Sequence, residues 1–421
     1  MDIHPPTTLS WGVGLDGPAA GDDLDPAVLD AADPLAPLLA RFAVPDAQLV
    51  YLDGNSLGRP PIRALERIGE VARTEWAADL VRGWSRWLDL PLRVGDALAA
   101  GVLGAEPGTV AVTDSTTVNL YRLAAAALDD LPARRSVIAA ADDFPTDRYI
   151  VEGLAAERGL QLRWVRDRGA DGVSPDDVAT LLDDDVALVL LSLVSYRTAA
   201  IADLPAVERL ARAAGAHVLW DCSHAGGVVP VDLTANDVGL AVGCSYKYLN
   251  GGPGAPAWLY VAPRLQGSLR PPVRGWFAQS DQFAMGPRFE PADGIAGWLA
   301  GTPPVLSLTG VAEGVALVAE AGIDAIRAKS VLLTAYCVAL VDQVLAPLGC
   351  RLGSPRDPAR RGGHVAILHP EAQRLVTALV GEGVIPDFRE PDIIRFGLSP
   401  LTTSFEDVHR GVRALAGLLR A

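Results

Sequence analysis

Two lysines are the residues of this chain whose type most strongly suggests covalent chemistry. Lysine and arginine together number 36, and only Lys247 and Lys329 are lysines. Codon usage that favours arginine would explain this scarcity, but an amine also supplies chemistry that a guanidinium cannot. Lys247 comes shortly after Leu240–Cys244, a short apolar run typical of a buried strand. Lys329 falls in the middle of a predicted helix, where we expect a solvated charge.

A carboxylate occupies the corresponding position after the preceding predicted strand. Asp221 directly follows the apolar run His217–Trp220 and precedes Lys247 by 26 residues. Ligands of open α/β sheets bind at the carboxyl ends of the strands, so both side chains are expected at one sheet edge. Pyridoxal phosphate needs a lysine amine for its aldehyde and a carboxylate that keeps its ring nitrogen protonated. The pair therefore predicts a site for this cofactor.

Other residues near predicted strand ends fit the same cofactor. Phe144 follows the predicted strand Ser136–Ala140, and its ring could stack on the cofactor. Thr116 and Thr117 precede a predicted helix, and a helix N-terminus with hydroxyl groups is suited to a phosphate. Each residue alone has a simpler interpretation: Asp221 as a turn residue, Phe144 as a core aromatic, His224 as an interior histidine and Lys247 as a surface lysine. Only the ordered set favours the cofactor.

Alternating strands and helices must position these side chains. Seven short apolar runs alternate with helical patterns; the runs are Val110–Thr113, Ser136–Ala140, Leu160–Val165, Val186–Val194, His217–Trp220, Leu240–Cys244 and Ala257–Val261. This alternation is typical of an α/β fold with a mostly parallel sheet sandwiched by helices.

The pattern divides the chain into three parts. Residues 1–60 are predicted to form an N-terminal arm, loosely ordered over about the first 27 residues, and a segment that packs with the small domain. Its apolar spacing includes one amphipathic helix over Asp30–Phe42. Residues 61–304 form the large cofactor-binding α/β domain. Residues 305–421, which begin with two long helical patterns, form a smaller α+β domain.

Composition and charge exclude several classes of protein. Half of the residues are hydrophobic, and 51 acidic against 36 basic residues give a net charge of −15. This balance argues against nucleic acid or an anionic membrane as a partner. We find no apolar run near the roughly 18 residues that span a bilayer, and no secretory signal. The four cysteines, which form no Cys-x-x-Cys pair, predict no metal site and a reducing cytoplasm.

Several motifs resemble those of kynureninases. The motifs are Tyr51–Gly58, Phe144–Asp147, Cys244–Ala255, Gly275–Phe277 and Gly301–Pro304. Kynureninases are fold-type I pyridoxal-phosphate enzymes that hydrolyse the Cβ–Cγ bond of kynurenine to give anthranilate and alanine. The resemblance runs from about residue 30 to the end, and it implies this fold and a hydrolase acting on carbon–carbon bonds in ketonic substances. It also implies a step in tryptophan catabolism, the kynurenine pathway or NAD biosynthesis.

The resemblance also implies roles for individual residues. Lys247 would be the Schiff-base lysine, Asp221 the partner of the ring nitrogen, and Tyr246 a proton relay. Arg395 would bind the α-carboxylate of an amino-acid substrate through its planar guanidinium. The cofactor contacts would be Thr116, Thr117, Phe144, Asp147, Ser192, His224 and Tyr246, with Trp276 and Thr302 contributed by the other subunit of a homodimer. Ser56 and Trp84 would bind substrate.

Three segments depart from the motifs that are usual in the family. Gly275–Gln279 has Ala-Gln in place of Gly-His, Gly83–Trp87 is shorter, and Leu398–Thr402 has threonine in place of tyrosine. These departures leave kynurenine, 3-hydroxykynurenine and ring-modified kynurenines open as substrates. An aminotransferase, a cysteine desulfurase and a non-catalytic relative are the alternatives. A desulfurase needs a nucleophilic cysteine on a loop, and only Cys350 has such a setting.

Overall fold

A seven-stranded sheet forms the centre of the larger part of the molecule. The computed structural model describes residues 25–421, so most of the predicted N-terminal arm lies outside the described residues. The strands, in chain order, are β1 (Val50–Tyr51), β2 (Val110–Val112), β3 (Ser136–Ala140), β4 (Gln161–Val165), β5 (Val186–Ser192), β6 (His217–Asp221), β7 (Leu240–Gly243), β8 (Trp258–Val261), β9 (Arg351–Leu352), β10 (His364–Leu368), β11 (Val384–Ile385), β12 (Asp387–Arg389) and β13 (Ile393–Gly397).

The sheet is parallel except at one strand. Its order is β2-β8-β7-β6-β5-β3-β4, and β8 runs antiparallel to both of its neighbours. The described segment between β7 and β8 contains no helix. Because a parallel return needs a long crossover, this segment brings the chain back in the opposite direction. The predicted α/β fold with a mostly parallel sheet is confirmed, and all seven predicted strands are present.

Helices cover both faces of this sheet. Along β5, Val189 and Leu191 point into one hydrophobic core, whereas Leu188 and Leu190 point into the core on the opposite face. Strand side chains alternate between faces, so a continuous apolar run is what a doubly covered strand requires. The helices are α1 (Pro26–Ala31), α2 (Ile62–Glu70), α3 (Trp84–Trp87), α4 (Leu90–Leu98), α5 (Thr116–Asp130), α6 (Pro145–Arg158), α7 (Pro175–Leu181), α8 (Leu204–Ala213), α9 (Pro263–Gln266), α10 (Val305–Ala321), α11 (Ile323–Leu340), α12 (Ala372–Gly381) and α13 (Phe405–Arg420).

The helix predicted over residues 30–42 is absent as a single element. The structure has α1 and then a separate 3₁₀ turn over Ala36–Arg41. Pro34 and Pro37 account for the break, because proline has no N–H and also disfavours a helical conformation in the residue before it.

A second, smaller core lies towards the C-terminus. It packs around the antiparallel sheet β12-β13-β10-β9, and β1 joins it by pairing in parallel with β11. Helix α10 instead contributes Leu308, Val311 and Val315 to the core of the large domain. The sequence predicted that the small domain begins at residue 305. Within residues 305–421, the first side chain in the second core is that of Leu332 on α11.

Lys329 on α11 is buried, contrary to the prediction of a solvated charge. Its side chain is 4% exposed, and its Nζ lies 2.6 Å from a carboxylate oxygen of Asp33. The two residues are far apart in sequence, so the pattern around Lys329 contains no sign of its partner. The ion pair attaches the segment that follows α1 to the small domain.

One helical stretch meets the length and composition of a membrane span. Within Ile323–Leu348 an 18-residue window has a mean hydropathy of 1.8, so the prediction that no apolar run approaches about 18 residues was wrong. Of its apolar window, 56% is buried inside the structure. Core helices of folded domains pass the same test, and α11 packs in the second core through Leu332 and Leu333.

Candidate active site

A cavity of about 380 Å³ opens at the carboxyl ends of the central strands. Eleven of the fourteen predicted site residues line it: Ser56, Thr116, Thr117, Phe144, Asp147, Ser192, Asp221, His224, Tyr246, Lys247 and Arg395. Among residues 25–421, no group of histidine, cysteine or acidic side chains is arranged to hold a metal ion.

The segment between β7 and β8 carries Lys247 into the cavity. The backbone N–H of Asn250 donates to the carbonyl oxygen of Lys247 at 3.0 Å, and Asn250 adopts a left-handed conformation with φ of 55°. From the other side, the N–H of Gly58 donates to the carbonyl oxygen of Tyr246 at 2.8 Å. Lys247 itself is half-buried and forms no ion pair within residues 25–421. Its backbone is therefore held firmly, and its amine stays available.

Three buried acids surround the end of β6. Asp221 stands opposite Ser192 in the register of β5 and β6, and it accepts a hydrogen bond from the N–H of Ser223 at 2.7 Å. Burial raises the pKa of Asp221 and of Asp147, and the nearby charge of Lys247 partly offsets both effects. Burial also raises the pKa of Asp143 to about 7.

Ser192 links two of these acids. Its N–H donates to Asp143 Oδ2 at 2.9 Å and its Oγ lies 3.5 Å from Asp147 Oδ2, while the buried Asp147 Oδ1 has no hydrogen-bond partner. An excess of buried carboxylates over the single lysine fits a ligand whose ring nitrogen carries a proton and a positive charge.

Two helix N-termini meet in the wall of the cavity. Thr117 lies in the first turn of α5 and Thr146 in the first turn of α6, and their hydroxyl oxygens are 3.4 Å apart. Ser115 caps α5 by accepting from the N–H of Val118 at 3.3 Å. The first N–H groups of a helix and its dipole favour an anion, so this part of the cavity fits a phosphate.

An aromatic ring and a buried imidazole complete the ring-binding region. Phe144 is 41% exposed, which excludes its interpretation as a core residue, and its ring lies edge-on to that of Tyr196 at 5.4 Å between centroids. His224 is buried, its Nδ1 has no hydrogen-bond partner, and its ring lies 5.6 Å from that of His364. Burial lowers the pKa of both histidines, so both imidazoles are neutral at physiological pH. Phe144 is therefore an exposed ring in the wall of the cavity, where it could contact a flat ligand.

The small domain supplies the guanidinium side of the cavity. Arg395 on β13 is directly opposite Asp387 on β12, and its Nη2 donates to the Asp387 carboxylate. The same Nη2 lies 3.3 Å from Ser56 Oγ, and Nη1 donates to the carbonyl oxygen of Tyr196. Arg395 is thus held from three segments of the chain.

Three predicted site residues do not line the cavity of their own chain. Trp84 packs 6.3 Å from Phe277, while Trp276 is 42% exposed and Thr302 is exposed. Gln279, in the segment that departs from the family motif, accepts a hydrogen bond from the N–H of Glu290 at 2.8 Å. The altered motif therefore has a structural contact within its own loop.

The sequence analysis did not name half of the residues that line the cavity. These are Asn55, Asp114, Ser115, Thr146, Val194, Tyr196, Ser223, Gly254, Ala255, Ala257 and Arg389. Several are direct neighbours of named residues, and sequence proximity could have suggested them. Arg389 could have been found because it is two residues after Asp387, and alternate residues of a strand lie on the same face.

Comparison with known proteins gives consistent results. A model of the kynureninase C-terminal domain matches residues 326–415. A kynureninase from Pseudomonas fluorescens is 43% identical over 399 residues, which cover 93% of this chain and 94% of that protein. A cysteine desulfurase from Thermococcus onnurineus superposes with a TM-score of 0.78 at 18% identity, covering 88% of this chain and 95% of the other.

A further similar structure contains the predicted cofactor. It is a mutant of the protein C-DES with glycine covalently linked to its pyridoxal-phosphate cofactor, and it superposes with a TM-score of 0.76 at 19% identity. It covers 89% of this chain and 99% of that one. At these identities the two solved structures show a shared fold.

Proposed function

The chain belongs to the kynureninase family, as its motifs predicted, and we propose that the cavity at the ends of β5, β6 and β7 is its active site. The enzyme uses pyridoxal phosphate to hydrolyse the Cβ–Cγ bond of kynurenine, which yields an anthranilate and alanine. One observation supports the location: Lys247, Asp221 and Arg395 line the same cavity. The first two suit the aldehyde and the ring nitrogen of the cofactor, and the third suits the carboxylate of an amino acid.

The residues around the cavity would each hold a different part of the cofactor. When bound, pyridoxal phosphate supplies an aldehyde carbon for an amine and a ring that withdraws electrons from the substrate Cα. Asp221 would hold the proton on the ring nitrogen, and Phe144 would stack on the ring. Thr116 and Thr117, at the N-terminus of α5, would donate to the phosphate.

Lys247 and Tyr246 would move the protons. Lys247 lines the cavity and its Nζ forms no ion pair within residues 25–421, so its amine would be available to accept the proton from the substrate Cα. Burial and the neighbouring Cys244 raise the pKa of Tyr246, so its hydroxyl keeps a proton at neutral pH. We assign to Tyr246 the relay of that proton in the later part of the reaction.

We infer that the enzyme is a homodimer in which the partner subunit completes the site. Trp276 and Thr302 are exposed and lie outside the cavity of their own chain, which is what residues contributed to a partner require. Trp84 contacts Phe277, which is next to Trp276. Entry of Trp276 into the partner's site would therefore also bring Trp84 near the partner's substrate. The aryl end of the substrate would then be recognised by both chains.

A mixing experiment tests this shared site. Lys247→Arg and Trp276→Ala homodimers should each have little activity, because each lacks one contribution to every site. Random re-association of equal amounts should restore about a quarter of the wild-type activity, since half of the dimers contain one intact site of two. Activity no greater than the sum of the two variants alone would contradict the shared site.

The chemistry of the cysteines does not favour a desulfurase. All four cysteines are free and buried, and burial raises the pKa of Cys350 to about 11. A buried thiol with a raised pKa is a poor nucleophile at neutral pH. Four unpaired cysteines also support our inference that the enzyme works in a reducing cytoplasm.

Product analysis tests the proposed site and the reaction together. The purified holoenzyme is incubated with kynurenine and with 3-hydroxykynurenine, and the aryl acid, alanine and any keto acid are measured. We expect one alanine for each aryl acid, and no activity in Lys247→Arg, which keeps the charge but loses the amine. As a matched control, Arg356→Gln removes an exposed arginine that pairs with Asp342 outside the cavity. A keto acid as the main product would support an aminotransferase instead.

A further inference from the structure

We propose that Arg389 is a second arginine for the α-carboxylate of the substrate, and that Asp387 positions Arg389 and Arg395 together. This inference rests on the proposed function, because it concerns the same cavity. Asp387 and Arg395 are cross-strand partners on β12 and β13. Arg389 is two residues after Asp387, so its side chain leaves the strand on the same face.

A single carboxylate oxygen connects the two guanidinium groups. Asp387 Oδ2 accepts from Arg395 Nη2, from Arg389 Nη2 at 2.8 Å and from Ser56 Oγ at 3.1 Å. Two guanidinium groups share this one carboxylate. The half-buried Asp53, whose pKa burial raises to about 6, is the other acid that interacts with both arginines. The α-carboxylate of an amino-acid substrate would add charge-assisted hydrogen bonds to these guanidinium groups.

Arg395 alone has little capacity left for a ligand. Its side chain is 1% exposed, its Nη1 is used by the carbonyl oxygen of Tyr196, and its Nη2 is shared between Asp387 and Ser56. Its Nε is buried without a partner. An α-carboxylate would therefore find only Nε and the second hydrogen of Nη1 free on this residue, and any further hydrogen bonds would need another donor.

Arg389 has the donors that Arg395 lacks. It lines the cavity, its side chain is 37% exposed, and its Nη1 has no hydrogen-bond partner within residues 25–421. Because Asp387 holds its Nη2, the guanidinium is already fixed in place before substrate binds. A held guanidinium loses less entropy on binding than a mobile one.

A matched pair of ligands isolates the carboxylate. L-Alanine, the product, carries the α-amine and the α-carboxylate, and ethylamine is the same molecule without the carboxylate. Their equilibrium binding to the holoenzyme is measured by the change in the visible absorption of the cofactor and by calorimetry. Arg389→Gln should weaken L-alanine binding by about 10- to 100-fold, the range for a hydrogen bond to a charged group, and change ethylamine binding less than twofold.

Two further variants make the result decisive. Arg389→Lys keeps the charge but loses the planar fork, so it should weaken L-alanine binding by less than Arg389→Gln does, again without effect on ethylamine. This variant also carries the test if Arg389→Gln fails to fold. Arg356→Gln should change the binding of neither ligand.

The outcomes separate this inference from the proposed function. Equal weakening of both ligands, or no weakening of L-alanine, in the Arg389 variants would overturn the role of Arg389 while wild-type hydrolysis of kynurenine stands. A wild-type enzyme that binds L-alanine no more tightly than ethylamine, and does not cleave kynurenine, would overturn the proposed site as well.

Discussion

Replacing Gly58 by alanine should disturb the segment that carries Lys247. A Cβ at Gly58 would overlap the carbonyl oxygen of Lys247 and the side chain of Asn250, whose Cγ would be 2.9 Å away. The N–H of Gly58 also donates to the carbonyl oxygen of Tyr246 at 2.8 Å. Gly58 does not have a positive φ, so alanine meets no backbone penalty there. The cost in the folded state therefore comes from the steric overlap and from the hydrogen bond that this overlap disturbs.

The magnitude follows from three contributions. Forcing a methyl group into a packed site costs about 1–3 kcal/mol, and losing the hydrogen bond to Tyr246 costs about 0.5–1.5 kcal/mol. The reduced freedom of the unfolded chain offsets about 0.4–1 kcal/mol. The central values leave a net destabilisation of about 2 kcal/mol. A displacement of about 1 Å at Lys247 should also lower kcat/KM for kynurenine by about 100-fold.

Urea unfolding midpoints and kcat/KM of the holoenzyme measure the two effects. Gly153→Ala is the matched control, because Gly153 is an exposed residue of α6 and nothing lies within 4 Å of the added Cβ. That variant should be more stable by about 0.5–1 kcal/mol and fully active. A Gly58→Ala enzyme as stable and active as wild type would refute the close packing of this loop. Lower stability with unchanged kcat/KM would show that the geometry of Lys247 does not depend on the close packing around Gly58.

Asp221→Asn should keep the cofactor bound but largely abolish turnover, because the ring nitrogen loses its proton; near-normal kcat with full cofactor absorption would contradict this role. Lys329→Met should lower the free energy of unfolding by about 3–5 kcal/mol, since it leaves Asp33 buried without its partner, and adding Asp33→Asn should recover part of the loss. Burial raises the pKa of Glu208 to about 7 although it accepts a hydrogen bond from Trp220 Nε1 at 3.0 Å. A raised pKa means that stability is lost as pH rises from about 4.5 to 7, so Glu208→Gln should equal wild type at pH 4 and exceed it at pH 8 by on the order of 3 kcal/mol; equal stabilisation at both values would contradict this.

The strands and the main cofactor residues could be predicted from local sequence. Each strand of the large sheet is a short apolar run between helical patterns, and a doubly covered parallel strand must have such a run. Because parallel strands end at one edge, the positions of Asp221 and Lys247 after their strands were enough to place them together. The position of Thr116 and Thr117 before a predicted helix indicated the phosphate end, and the family motifs then identified Arg395.

Contacts between distant segments needed the folded chain. Lys329 has the sequence context of an exposed helical charge, and only the packing of the N-terminal segment on α11 brings Asp33 to it. The burial of α10 in the first core likewise depends on which domain it packs against, and its apolar pattern is compatible with either.

The guanidinium side of the cavity shows the same division. The sequence identified Arg395 from a motif on one strand, but its contacts with Asp387 depend on the register between β12 and β13, and those with Ser56 and Tyr196 on the approach of two remote loops. Strand periodicity is local, so it determines which face a side chain takes. Register and domain packing depend on the whole chain, and they decided which charges meet on the guanidinium side of the cavity.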